Sequence, residues 1–216
     1  MKKPFELWQS ACAALLLLAI AGTATAAPLR AYTFTGTFSV VIGDPFGLGI
    51  ALGDAVTGTL TYDAGVIVIP PPGATLALYP QNLSDGLLAN IGRSVFTSNT
   101  FDFLVENNRP GENVDSYNVT SASGGDLFRD AAPVTGSLGI AAPGPDSTID
   151  SLSLLDFDLL AFTGHTLQLL QDGDNYLQAS ITLAPTVVPV PASILMLATG
   201  LAGLISYRAR SRLRSS

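Results

Sequence analysis

What limits the folding of this chain most is its C-terminal end. Residues 192–207 are sixteen in a row without a charge, rich in Leu, Ile, Ala and Gly. The tail that follows, 208–216, carries Arg208, Arg210, Arg212 and Arg214 and no acid. A water-soluble globule has no use for an apolar helix that ends abruptly in arginines, whereas a bilayer does. Pro191 suits the first helical position, where the missing N–H has no intrahelical partner. Pro189 cannot lie inside the helix, so the helix begins after it. At ~1.5 Å per residue, 191–207 spans roughly 25 Å, slightly less than a hydrocarbon core of ~30 Å. Snorkelling of Arg208 and Arg210 makes up the difference. The arginines place the tail in the cytoplasm.

The other end carries a matching signal. Lys2 and Lys3 precede the apolar run 11–21, and Ala24-Thr25-Ala26 has the A-x-A form of a secretory cleavage site. Residues 1–26 therefore read as a signal peptide, and Ala27 as the first mature residue. Cys12, the only cysteine, leaves with that peptide. The mature chain is then without disulfide or thiol chemistry. Both cationic flanks sit on the cytoplasmic side, and the domain between them on the far side.

Pro189-Val190-Pro191, preceded by Val188, then a short apolar helix containing Gly200-Leu201-Ala202-Gly203-Leu204, then an arginine cluster, resembles the PEP-CTERM sorting signal of Gram-negative bacteria. Here Val190 stands at the usual glutamate position. The resemblance covers 187–216 and implies recognition by an exosortase-type membrane protease after export through the Sec translocon and signal peptidase. It implies an inner-membrane-anchored precursor delivered to the cell surface, biofilm or extracellular matrix. It carries no activity with it, and a lasting anchor stays open as the alternative to a processed tail.

Between the two ends lies one domain, 27–186, long enough to bury a core without staples. It holds sixteen of the seventeen acids, all but Glu6, and only Arg30, Arg93, Arg109 and Arg129 as bases. Sixteen acids against four arginines leave it near −12, far more acidic than the whole-chain −7. Phosphate binding needs clustered Lys and Arg, so this balance argues against nucleic acid or anionic lipid as partners.

The domain reads as all-β. Tyr32, Phe34, Gly36, Phe38, Val40 and Ile42 alternate with Thr33, Thr35, Thr37 and Ser39, the period of a half-buried strand. Further strands are predicted over 55–62, 66–69, 75–79, 95–105 (split near Asn99), 115–120, 134–141, 148–160, 166–170 and 176–183. One short helical turn is predicted within 82–90. Gly43-Asp44-Pro45, Pro70-Pro71-Pro72-Gly73 and Asp172-Gly173-Asp174-Asn175 punctuate them with turn chemistry. This spacing predicts a single β-sandwich or jelly roll. Thr-Gly-Thr or Thr-Gly-Ser recurs around Gly36, Gly58 and Gly136 without a fixed period. That pattern predicts bulges or close packing against a bulky cross-strand neighbour.

No catalytic constellation stands out. His165, the only histidine, reads as a surface polar residue at a turn. Without a second His or any mature Cys, the usual zinc sites are excluded. Asp172, Asp174 and Asn175, and separately Asp156 and Asp158, offer oxygen ligands of the type calcium takes, yet a hairpin turn explains Asp-Gly as well. No other cofactor is expected. The expected role is non-enzymatic: structural, adhesive or glycan-binding, with exopolysaccharide as candidate partner. The alternatives are a polysaccharide-acting enzyme using a carboxylate pair and a permanently anchored periplasmic module.

Overall fold

The computed structural model describes residues 29–107, 114–121, 127–145, 152–155, 157–171 and 175–186. The strands are β1 (Leu29–Ile42), β2 (Ala55–Asp63), β3 (Leu76–Ile91), β4 (Ser94–Glu106), β5 (Val114–Ser121), β6 (Leu127–Arg129), β7 (Ala132–Pro133), β8 (Ser137–Pro145), β9 (Thr166–Leu170) and β10 (Tyr176–Thr186). Short 3-10 turns occupy Pro45–Gly47 and Leu159–Ala161. Among the described residues no helix is long and apolar enough to cross a membrane. The predicted signal peptide 1–26 and the predicted membrane helix 191–207 lie outside them.

The all-β expectation holds, but the β-sandwich does not. Eight antiparallel strands run in the order β3-β2-β1-β10-β9-β8-β5-β4, and β3 pairs with β4 to close a barrel. The small β6–β7 hairpin hangs on the upper part of β4, where Phe96 to Ser98 face Arg129 to Leu127. Alternation cannot separate the two architectures, because both turn every second side chain inward. Closure is decided by pairing: β3 and β4 each bond both neighbours, so no long edge is left to protect.

Glycines and bulges let the strands bend round the ring. A Cβ on Gly58 would sit 2.1 Å from the Leu88 carbonyl oxygen and 2.2 Å from the Phe34 ring; one on Gly36 would sit 2.0 Å from the Ser180 carbonyl. At Gly136 the Leu170 carbonyl lies 2.4 Å from the same point. All three recurrent glycines thus mark close approaches. β1 is bulged between Phe38 and Val40. β3 carries a larger bulge between Asn82 and Leu87, where Asp85 has φ 53° and its N–H donates to Asn99 Oδ1 at 2.9 Å. That bulge occupies the stretch predicted as a helical turn, and it shifts the inward phase of β4 from Phe96 and Ser98 to Phe101 and Phe103. β4 itself runs unbroken past Asn99.

Among the described residues, two predicted strands do not form. Residues 66–69 alternate but form no ladder, since Pro70, Pro71 and Pro72 follow and cannot donate hydrogen bonds. Within 148–160 the described residues are bends and a 3-10 turn. Their apolar spacing serves another purpose: Leu154, Phe157, Leu159 and Phe162 are buried and plug one end of the barrel.

Inside, an eight-stranded barrel is just wide enough for side chains to fill, and here aromatics do much of the filling. Phe103 lies 4.9 Å from Tyr62 and 5.5 Å from Phe157 between ring centroids, and Tyr117 lies 5.1 Å from Phe162. Outside, β1 and β2 present Thr33, Thr35, Thr57 and Thr59. An apolar interior and a hydroxyl-bearing exterior are the reverse of a membrane-spanning barrel.

Candidate functional site

Antiparallel register sorts the connections onto two rims. Leu29 pairs with Asp63, and Ala31 with Thr186, so the two ends of the described chain leave the barrel side by side. This near rim also carries the 64–75 connection and the described plug residues 152–155 and 157–165. The far rim carries the 43–54 loop, the Gly92-Arg93 turn and the β6–β7 hairpin.

The far rim holds a cleft of about 460 Å³ lined by Gly47, Leu48, Gly49, Ile50, Asp54, Gly92, Arg93, Ser94 and Arg129. Its walls are fixed by short-range polar contacts. Asp44 Oδ1 accepts the Gly49 N–H and Asp54 Oδ2 the Ala51 N–H, each at 2.8 Å. Arg129 donates from Nε to Ser94 Oγ at 2.9 Å and from Nη1 to the Phe46 carbonyl. Asp130 accepts the Val95 N–H at 2.8 Å, lies 3.6 Å from Arg129, and its carboxyl is held below the usual range, first by that N–H and then by Ser94 and Arg129. Arg93, by contrast, stands exposed at the tip of its turn, the cation in this cleft most open to a ligand. Two of the domain's four arginines thus meet at one cleft of an otherwise acidic domain. The exposed Arg93 guanidinium can bind a carboxylate through paired N–H donors.

The near rim holds a second groove of about 590 Å³, lined chiefly by apolar side chains including Val66, Ile67, Val68, Tyr79, Leu152 and Leu154. Neither cleft is lined by two carboxylates.

The residues singled out from sequence fall as follows. His165 is a correction: it is buried, 7 % exposed, and its Nδ1 lies 2.7 Å from the Tyr117 hydroxyl. Burial lowers its pKa, against the effect of a hydrogen bond to the Phe162 backbone. Glycine on one side and a threonine on the other suggested a turn, but the residue sits where the plug enters the barrel. Asp158 caps the 3-10 turn by accepting the Leu160 N–H at 3.0 Å. Asn175 is tucked against Gly43 at the far rim, and its carbonyl accepts the Gln171 N–H at 3.1 Å. Asp156, Asp172 and Asp174 lie outside the described residues. Among the described residues no three His, Cys, Asp or Glu side chains gather as a metal site. Ala24, Ala26, Ala27, Val188, Pro189, Val190, Pro191, Arg208, Arg210, Arg212 and Arg214 also lie outside. Sequence reasoning missed the Arg93–Arg129 pairing, because 36 residues separate two arginines that only the β4–β6 ladder brings together.

No protein-family model, curated protein or solved structure matches the chain.

Proposed function

We propose that this chain is an exported surface or extracellular-matrix protein with a non-enzymatic role, whose barrel is displayed by its C-terminal sorting segment and whose far rim binds acidic polysaccharide. The observation that carries it is the placement of both ends on one rim. Tethered beyond Thr186, which leaves the barrel on the same rim as Leu29, the barrel offers the opposite rim, with Arg93 and Arg129, to whatever lies outside. The PEP-CTERM-like tail supplies the address: translocon, signal peptidase and then an exosortase-type protease act on it, and exopolysaccharide is the ligand. The domain's net negative charge works against a polyanion, so binding must be local, salt-sensitive and moderate.

Two measurements test this. Deleting 187–216 should move the domain from membrane and surface fractions to the periplasm or medium; unchanged fractionation refutes the sorting role. Arg93→Glu should abolish retention on an alginate-type uronic acid column while leaving the fold intact, because Arg93 is exposed. Equal retention of both proteins refutes the far-rim site. Mass spectrometry of surface material separates a processed tail from a lasting anchor by the absence or presence of Arg214.

A further inference from the structure

The near rim is unusually greasy for a surface in water. Ile67 and Ile69 are 85 % and 89 % exposed, and Leu76, Leu78 and Leu155 are each about half exposed. Isolated exposed apolar residues are ordinary, but Ile67 and Leu155 line one groove, and a grouped apolar surface marks an interaction site. The loop is fixed at both of its bases. The Val66 N–H is bonded to the Asp63 carbonyl at one base of the loop, the Ala74 N–H to the Pro71 carbonyl at the other, and three prolines stiffen the span between. Behind the loop lies the 590 Å³ groove, with Tyr79 as part of its wall and the Tyr79 hydroxyl bonded to the Leu152 carbonyl. Its lining is mostly apolar and offers few hydrogen-bond partners to a polar peptide.

What covers this face is indicated by where the chain leaves it. Thr186 pairs with Ala31 on the same rim, and the apolar stretch that the sequence assigns to the bilayer begins at 191, five residues on. Five extended residues reach at most about 17 Å. We infer that the near rim docks on the lipid bilayer, with the 66–69 loop inserted at the headgroup–acyl boundary and the groove taking up acyl chain. This rests on the membrane-tethered precursor proposed above. Insertion here is apolar rather than electrostatic, since the loop has no lysine or arginine and Asp63 stands at its base.

The test uses the full chain with Cys12→Ser, carrying Ile67→Cys or, at the far rim, Leu52→Cys, each labelled with an environment-sensitive fluorophore. The chain is reconstituted into phosphatidylcholine vesicles containing doxyl-labelled lipid, and flotation is scored alongside emission. The expected result is quenching of the Ile67 label by about twofold or more, little change at Leu52, and loss of quenching at 67 when Ile69→Glu is added. A chain that floats while both labels respond equally overturns the docking and leaves the tether standing. A chain that never floats overturns both. An Ile67 label shielded without lipid, in proportion to protein concentration, shows a second copy on this face and overturns the docking.

Discussion

Removing one oxygen atom from the barrel interior should reveal how its plugged end is held. Tyr117 is fully buried on β5, and its hydroxyl meets Nδ1 of His165 at 2.7 Å. A neutral imidazole has one donor and one acceptor. Nδ1 shares a hydrogen bond with the Tyr117 hydroxyl, and the ring is also held by a hydrogen bond to the Phe162 backbone. Tyr117→Phe keeps the ring, which packs against Phe103, Phe157 and Phe162, and deprives Nδ1 of its hydroxyl partner. An unsatisfied buried polar group costs about 1–3 kcal/mol. For a domain of this size each kcal/mol moves Tm by about 2–4 °C, so a fall of about 2–12 °C is expected. Tyr117→Phe with His165→Leu removes both polar partners and should cost less than the sum of the two single changes, by about 0.5 kcal/mol or more. Thermal and guanidinium unfolding of the intact chain in mild detergent at pH 7.5 read these values. The same pair sets an acid limb. Burial lowers the His165 pKa in the folded state below its ordinary 6.5. Between the two values the unfolded chain binds more protons, so stability is complete above pH 6.5 and falls as pH drops through it. One proton allows a slope of at most about 1.4 kcal/mol per pH unit. His165→Leu should flatten that part of the profile. Additive costs in the double variant, or an acid limb between pH 5 and 6.5 that survives without His165, would refute the reasoning.

Two further perturbations probe closure and plugging. Gly58→Ala drives a methyl into the Leu88 carbonyl and the Phe34 ring, and it should cost about 1–3 kcal/mol by chemical denaturation; wild-type stability would show that β2 and β3 are not packed this closely. Arg30→Gln removes guanidinium bonds to the carbonyls of Leu155 and Phe157. Amide hydrogen exchange at 157–162 should then speed up while the Phe34–Leu183 ladder stays protected, and unchanged exchange at 157–162 would sink the assignment of Arg30 as the plug's tie.

Much of the barrel was legible in sequence because a strand's side chains alternate whatever lies beyond its neighbours. The alternation of Tyr32, Phe34 and Phe38 with threonines gave β1 directly, and Gly58 and Gly36 announced close contacts before any neighbour was known. What could not be read was which strand meets which. Closing the ring depends on β3 serving both β2 and β4, and the bulge at 83–86 that permits it looked like a helical turn, since Leu-Ser-Asp-Gly has no β-branched residue. Val66-Ile67-Val68-Ile69 misled in the opposite sense. It has the composition of a strand, but a ladder needs a partner, and the prolines after it leave the segment outside the sheet.

His165 and the 66–69 loop together explain why propensity fails most at this rim. The plug turns an exposed-looking Gly-His-Thr into an interior hydrogen bond, and the prolines turn an interior-looking apolar run into surface. At this barrel end the ladder stops, so only Val66 and Val68 of the apolar run pack against the core while Ile67 and Ile69 face outward. A barrel closed at that end by Leu154, Phe157, Leu159 and Phe162 has no room left to hide Ile67 and Ile69. Their exposure is therefore a consequence of how the interior is filled. Substituting them by polar residues should leave folding stability within about 0.5 kcal/mol of the parent, and a large loss would mean that the loop belongs to the core after all.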